Sequence, residues 1–380
     1  MSVSLKHQLT HNLLNIPGWS SKHKIVVIES DDWGSIRMAS KSAFDYFQKQ
    51  GYPVDQCSYN RYDALECNED LEQIFDALST VKDKKGHPAI ITANHIAANP
   101  DFEKIKSSGY QEYHYESFTD TLNRYPQHDH VISLYKEGIN KKLLQPQFHG
   151  REHLNVKRWM RSLQQGNQAS LEAFDQNMFS VHQPYDPGNK NLFLDAFDYD
   201  QPEDSGYIEA IVKDGLDLFS ETWGFQSRSF IAGCYIWHSS LEKTLTAKGV
   251  KYIQGMVIQN EPIAEPGTFN YNKRYHYQGQ KNQYGQRYLV RNAFFEPSQN
   301  PTFDWVSDCL NRIETAFRWR KPAIISSHRL NFMGFIDATN RERNLKLLKQ
   351  LLSEIVKEWP DVEFMSSDQL GDLMEKKETK

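Results

Sequence analysis

The stretch "KIVVIESDDWGSIRMAS", residues 24–40, joins an apolar run directly to three acidic residues. The run Ile25–Ile28 is continuously hydrophobic, as in a strand buried on both faces of a parallel sheet. Glu29, Asp31 and Asp32 follow it, and carboxylates at the end of a buried strand are costly unless they are paired or bind a cation. The alternative is a solvated turn in which an Asp caps a helix. The stretch therefore predicts a strand that ends at a charged site or at such a turn.

Short apolar runs alternate with amphipathic segments along the rest of the 380 residues. The predicted strands are Ile25–Glu29, Ala89–Ala93, Leu143–Phe148, Arg228–Ala232, Lys251–Gln254, Tyr288–Arg291, Ala323–Ser327 and Val362–Met365. The predicted helices are Ser40–Gln50, Asn68–Thr80, Val156–Gln164, Tyr207–Phe219, Ser239–Lys248, Phe303–Arg318 and Arg341–Trp359. This alternation indicates an α/β fold with a mainly parallel sheet.

Seven or eight such units in a chain of this length predict a distorted (β/α) barrel of mainly parallel strands. A doubly wound open sheet is the alternative, but no G-x-G-x-x-G or P-loop motif favours it. We expect one domain over residues 1–380. Two segments, 181–207 and 259–287, are rich in polar residues, Pro or Gly and are predicted to be long loop insertions.

Composition excludes several classes of protein. Hydrophobic residues make up 39% of the chain and aromatic residues 13%, which indicates a folded core. The net charge of -5 and the lack of a long basic run give no reason to expect nucleic acid binding. The first 24 residues lack a signal-peptide core, no apolar run is long enough to span a membrane, and no C-x-x-C pair occurs. We therefore expect a cytoplasmic protein, while its oligomeric state stays open.

Two further predicted strands end at histidines. In "LQPQFHGREHLN", residues 144–155, His149 and His153 form an H-x-x-x-H pair that can bind one metal ion. With 14 histidines in the chain, a chance pair is a serious alternative. In "KPAIISSHRLNF", residues 321–332, the strand ends at His328, which taken alone is as well explained by a core or surface position.

The three strand ends are more informative together, because the C-terminal ends of parallel strands converge at one mouth of a barrel. One carboxylate and two imidazoles form a three-ligand set with an open fourth position, which is typical of a catalytic metal. A second carboxylate beside them can serve as a general base, and a further histidine as a general acid.

These motifs, "IESDDWG", the H-x-x-x-H pair and "IISSH", resemble in order and placement those of the polysaccharide deacetylases of carbohydrate esterase family 4. The resemblance covers residues 24–330. It implies that Asp31 is the general base and His328 the general acid. It also implies that one divalent ion, zinc in preference to other first-row metals, is held by the three ligands Asp32, His149 and His153.

The sequence departs from this family at two places. Where the family has an Arg-x-Pro motif whose arginine pairs with the base, "FIAGCY" places Ile231 at the arginine position. Arg228 or Arg151 is the candidate replacement, unless the base is held differently. Glu29 and Ser30 replace the usual Thr-Phe, and Trp33 is inserted before Gly34.

Several residues near predicted strand ends are candidates for a sugar pocket, with packing or capping as the alternative. They are Glu29, Trp33, His95, Tyr235 and Trp237. The acidic segment Asp195–Asp204 is either a second cation site or, preferably, a solvated loop.

The resemblance implies hydrolysis of an acetyl group, N-acetyl in preference to O-acetyl, on a carbohydrate substrate. A glycoside hydrolase on a related barrel and a non-catalytic carbohydrate-binding protein remain as alternatives.

Overall fold

The computed structural model describes residues 11–182, 193–264 and 270–378. In these ranges the strands are β1 (Ile25–Trp33), β2 (Ile91–Ile96), β3 (Ala98–Pro100), β4 (Tyr115–Ser117), β5 (Leu144–Gly150), β6 (Ser229–Phe230), β7 (Tyr252–Gly255), β8 (Ile258–Pro262), β9 (Tyr271–Tyr275), β10 (Arg287–Val290), β11 (Ala293–Phe294), β12 (Ala323–His328) and β13 (Glu363–Phe364).

Helices surround these strands. In chain order they are α1 (Lys41–Lys49), α2 (Ser58–Tyr62), α3 (Asn68–Leu78), α4 (Phe102–Ser107), α5 (Phe118–Leu122), α6 (Val131–Asn140), α7 (Val156–Gln164), α8 (Gln168–Asp175), α9 (Ser205–Trp223), α10 (Leu241–Ala247), α11 (Trp305–Arg318), α12 (Ala338–Glu358) and α13 (Ser367–Glu378). Short 3-10 turns span Val54–Gln56, Pro202–Asp204, Gly233–Tyr235 and Arg329–Phe332.

The main sheet is parallel and curls into a barrel, which confirms the predicted fold class. Its strand order is β10-β7-β6-β5-β2-β1-β12-β11, with β13 beside the start of β1. The end strands β10 and β11 are connected by only Arg291 and Asn292. Three residue steps span at most about 10 Å. The two edges of the sheet must therefore lie close together, so the sheet is nearly closed on itself.

Side chains of β1 alternate between the barrel interior and the outer helices. Ile25 and Val27 pack with apolar residues of β7, β10, β12 and α13. Strands β1 and β7 are separated by three others in the sheet, so these residues meet across the interior. Val26 and Ile28 instead pack in the cluster that includes α3, α11 and α12. Because side chains alternate along a strand, Glu29 and Asp31 point into the barrel as Ile25 and Val27 do.

Local sequence explains where several helices begin. Helix α1 starts after Ser40, whose side chain accepts a hydrogen bond from the N–H of Ala43. Helix α7 starts after Asn155, which caps Arg158 N–H in the same way. The amphipathic helix α9 ends at Gly224, which has a φ of 75°. None of the described helices is long and apolar enough to cross a membrane.

The segments predicted as loops contain more structure than their composition indicated. Within 259–287, β8 and β9 form an antiparallel hairpin. Three acidic residues of the segment Asp195–Asp204 are neutralised by one arginine, because Asp195, Asp198 and Asp200 all contact Arg158. This corrects the solvated-loop interpretation for these residues, whereas Gln201, Pro202 and Glu203 are exposed. Residues 183–192 and 265–269 of the two segments lie outside the described residues.

Candidate functional site

A buried arginine joins the two carboxylates that β1 directs into the barrel. Arg291, directly after β10, donates from Nη2 to Asp31 Oδ1 at 2.6 Å and from Nη1 to Asp31 Oδ2 at 2.7 Å. Its Nε donates to Glu29 Oε2 at 2.7 Å. Asn94 of β2 also donates to Asp31 Oδ1, at 2.7 Å. Burial alone would raise the pKa of Asp31, but the charge and hydrogen bonds of Arg291 lower it to about 2. Asp31 is therefore ionised at neutral pH.

The end of β1 bends so that Asp32 also reaches the mouth of the barrel. The pairing of β1 with β2 shifts between Ser30 and Trp33, and Asp32 has a φ of 74°, a strained value for a residue with a side chain. Gly34 follows with a φ of 82°, and a Cβ there would lie 2.8 Å from His95 Nε2. Glycine is therefore required directly after this bend.

Asp32, His149 and His153 lie together, as the resemblance implied. Asp32 Oδ1 is 3.3 Å from the Nε2 atoms of both histidines. Among the described residues they form the group suited to hold a metal ion. Ligands about 2.0–2.2 Å from a tetrahedral ion are separated by about 3.4 Å, so the observed spacing fits such an ion.

The protonation states of the two histidines also fit a metal. His149 Nδ1 lies 3.0 Å from the carbonyl oxygen of Ile231, which can only accept, so the ring proton is on Nδ1. In the neutral ring, the lone pair of His149 Nε2 then faces the carboxylate of Asp32, an arrangement that a cation between them would stabilise. Burial lowers the pKa of His153 to about 4, which keeps that ring neutral as metal binding requires.

The segment "FIAGCY" supplies a close packing contact instead of an arginine. After β6 it forms the turn Gly233–Tyr235. A Cβ on Gly233 would lie 2.9 Å from His153 Nε2, so a larger residue would displace that imidazole. The hydroxyl of Tyr235 is 3.2 Å from Arg291 Nη1. This turn therefore contacts both the histidine cluster and the arginine beside Asp31.

His328 lies opposite Asp31 and has a carboxylate partner, Glu296, which the sequence alone did not identify. Its Nδ1 is 2.6 Å from Glu296 Oε1, and its Nε2 is 3.9 Å from Asp31 Oδ2. Asn331 donates to the other oxygen of Glu296 at 2.8 Å. Burial would lower the pKa of His328, but Glu296 and the aspartates raise it to about 10. His328 is therefore a charged proton donor at neutral pH, with Nε2 turned toward the site.

The structure places the two arginines suggested by sequence in other ion pairs. Arg228 pairs with Asp372 on α13. Arg151 pairs with Glu152 and, at 2.7 Å, with Asp214 of α9. Arg291 occupies the position beside Asp31 that either of them was expected to fill.

Three of the suggested pocket residues lie inside the protein. Trp33 is fully buried, packs edge-on against Tyr135, and donates from Nε1 to Ser30 Oγ at 3.0 Å. His95 is fully buried among aromatic rings, and burial lowers its pKa to about 4. Glu29 is likewise inside the barrel as a partner of Arg291. These three side chains are buried close to the site residues and do not line an exposed surface.

A cleft of about 350 Å³ adjoins His328 and Glu296. Its aromatic walls are formed by Tyr235, Phe294, Phe303 and Trp305. Phe303 is 45% exposed. Of the predicted pocket residues, Tyr235 lines this cleft, whereas Trp237 is buried.

No family model and no curated protein matches this chain. Among solved structures, 29 chains are similar. Several carry the name of the family that the motifs resemble. A Mycobacterium smegmatis protein assigned to the polysaccharide deacetylases is 8% identical, with a TM-score of 0.44 over 95% of this chain and 94% of its own.

A family 4 carbohydrate esterase from Streptomyces lividans, solved with acetate, is 8% identical, with a TM-score of 0.34 over 92% of this chain and 95% of its own. A pseudoenzyme of the same family from Bacillus anthracis is 9% identical, with a TM-score of 0.34 over 92% of this chain and 65% of its own. Similarities at these identities carry no information about the activity of this chain.

Proposed function

We propose that this protein is a metal-dependent hydrolase that removes an acetyl group from a carbohydrate, N-acetyl in preference to O-acetyl. The observation that carries the proposal is the position of an ionised carboxylate, Asp31, opposite a charged imidazole, His328, with 3.9 Å between Oδ2 and Nε2. Both lie at the same mouth of the barrel as the ligand set Asp32, His149 and His153. The three motifs that resemble carbohydrate esterase family 4 support the same assignment.

In this proposal, Asp31 is the general base. Asp32, His149 and His153 would hold a divalent ion, zinc in preference to other first-row metals, which would supply Lewis acidity and lower the pKa of the attacking water. Asp31 accepts a proton from the attacking water. Arg291 and Asn94 hold both of its oxygens, so the carboxylate keeps its charge and its orientation.

His328 is the general acid in the same scheme. Its Nδ1 is bonded to Glu296, so Nε2 is the nitrogen that faces the reacting group. It donates its proton to the departing amine nitrogen of the sugar, which would otherwise leave as a poor anionic group. The aromatic cleft beside His328 is suited to bind the apolar faces of sugar rings.

Acetate release tests the proposal against its alternatives. The zinc-loaded protein is incubated with N-acetylated and O-acetylated sugars, and both acetate and free sugar are measured. We expect acetate from the N-acetylated substrates, and a loss of about 10²–10⁴ in rate for Asp31→Asn with the metal retained. Sugar release without acetate would indicate a glycoside hydrolase. Binding without any product would indicate a carbohydrate-binding protein.

A further inference from the structure

Arg37 is a buried arginine whose guanidinium lacks the acceptors that buried charges normally have. It follows the bend at the end of β1 and is 5% exposed. Its Nε and Nη1 atoms are buried and have no hydrogen-bond partner among the described residues. The guanidinium carbon lies 5.6 Å from the ring centroid of Tyr59 and 5.5 Å from that of Phe179. These rings attract the cation but do not satisfy its N–H donors.

Other buried arginines of this protein are held by carboxylates. Arg291 bonds Asp31 and Glu29, and Arg329 bonds Asp63 and Glu66. A buried charge without such a partner costs several kcal/mol in general. The unpaired donors of Arg37 are therefore better explained by a bound ligand that supplies the hydrogen-bond acceptor.

Arg37 lies next to the candidate active site. Its charge acts on His153, on Cys234, the residue that follows Gly233, and on Asp63, whose carboxylate is bonded to Arg329. The ring of Tyr59, which Arg37 faces, also contacts the ring of His328 edge-on at 5.6 Å. The Tyr59 hydroxyl accepts from Gln299 at 3.5 Å, and Gln299 and His328 both line the aromatic cleft. A sugar bound at His328 would thus lie one aromatic ring away from the free donors of Arg37.

We propose that Arg37 binds an anionic substituent of the sugar, a carboxylate or a phosphate ester, and so makes this site specific for acidic N-acetylated sugars. The planar fork of a guanidinium matches both groups with two parallel hydrogen bonds. The inference rests on the proposed function for the identity of the sugar, but the binding of the anion does not require hydrolysis.

Calorimetric titration of the zinc-loaded Asp31→Asn variant tests this inference, because slow turnover allows binding to be measured. The probes are N-acetylglucosamine, its 1-phosphate, its 6-phosphate, and N-acetylmuramic acid, which carries a carboxylate at O3. We expect at least one anionic sugar to bind about tenfold or more tightly than the neutral one. Comparing the affinity of the two sugar phosphates with that of N-acetylmuramic acid shows which anion is preferred. Equal affinity for all four sugars would overturn the proposal.

The same titration with Arg37→Met added assigns the preference to Arg37. We expect the anionic preference to disappear while the neutral sugar binds as before, and Arg37→Lys to retain part of it. Arg318→Met, at an exposed arginine paired with Glu314, is the matched control. An anionic preference that survives in Arg37→Met, or an equal loss for neutral and anionic sugars, would contradict the proposal. If Arg37→Met does not fold, Arg37→Gln replaces it.

These results are separable from those of the proposed function. An anionic preference that depends on Arg37, without acetate release by the Asp31-containing protein, would leave this inference standing and refute the deacetylase. Acetate release without any preference for anionic sugars would support the deacetylase and refute the role of Arg37.

Discussion

Arg291 is the main charged partner of Asp31. It contacts both carboxylates that face the barrel interior, Glu29 through Nε and Asp31 through both terminal nitrogens. Burial raises the pKa of Glu29 even though Arg291 opposes the shift. One cation thus contacts two carboxyl groups, with Asp32 close by at the mouth of the barrel.

Replacing Arg291 by lysine tests this pairing. A lysine carries the charge but cannot bond Asp31 with two nitrogens and Glu29 with a third. We expect Arg291→Lys to lower kcat for acetate release by about 10²-fold, because a displaced base reacts poorly, with zinc content unchanged. Arg228→Lys, at the half-exposed pair with Asp372, is the matched control and should leave kcat unchanged. A larger loss in Arg228→Lys than in Arg291→Lys would contradict the assignment.

Glu296 sets the proton affinity of His328. With Glu296 present, the pKa of His328 is raised to about 10, so the ring keeps its proton through neutral pH and loses it only as the pH rises through that value. Glu296→Gln removes the main charge that opposes burial, so the pKa of His328 falls. We expect the alkaline limb of kcat/KM against pH to move down by at least about one unit.

Glu314→Gln, at an exposed carboxylate on α11, is the control for this pH profile. An alkaline limb that is the same in Glu296→Gln and in the parent protein would show that His328 is not the acid.

Among the secondary-structure elements, the sequence predicted those that have a strong local pattern of apolar residues. The apolar runs before Asp31, His149 and His328 predicted three strands of the barrel and the residues at their ends. The bend at Asp32 was not predicted, since a positive φ at an aspartate leaves no periodic signal. In the structure β1 continues through Trp33, whose side chain packs in the hydrophobic cluster between the sheet and the outer helices.

Long-range partners were missed for a different reason. Arg291 is separated from Glu29 by 262 positions, and Glu296 from His328 by 32. Such pairs form only when the sheet curls, so no local spacing reveals them. The sequence did contain one indication of Arg291. It ends the predicted strand Tyr288–Arg291, and the other site residues also lie at the C-terminal ends of predicted strands.

The last helix, α13, packs closely on the barrel strands. A Cβ on Gly371 would lie 2.5 Å from Cδ1 of the buried Tyr252 ring. We expect Gly371→Ala to lower the free energy of unfolding by about 1–3 kcal/mol, because overpacked cores must shift. Gly206 of α9 has no atoms within 4 Å of a new Cβ, so Gly206→Ala should be neutral or stabilising by up to about 1 kcal/mol. Urea denaturation measures both, and equal values would contradict the packing of α13.

At the scale of the whole molecule, the barrel has two unlike regions. Apolar residues of α13 join the interior near the start of β1, whereas charged residues gather where β1, β5, β10 and β12 end. A metal that binds at the charged end should stabilise the entire fold, because it binds the folded chain only.

Metal-dependent stability follows from this arrangement. At free zinc 100-fold above its Kd, the free energy of unfolding should rise by about 2.7 kcal/mol, and a chelator should reverse the gain. In His149→Ala the zinc-dependent increase should be largely lost. Thermal or urea unfolding with and without zinc measures this, and an equal increase in parent and variant would place the ion elsewhere.

Anomalous diffraction from zinc-loaded crystals would show whether the three proposed ligands hold one metal ion. We expect one fully occupied ion about 2.0–2.2 Å from Asp32 Oδ1, His149 Nε2 and His153 Nε2, with Asp31 still bonded to Arg291. The absence of an ion from these three side chains, or an ion bound by Asp31 in place of Asp32, would contradict the proposed ligand set.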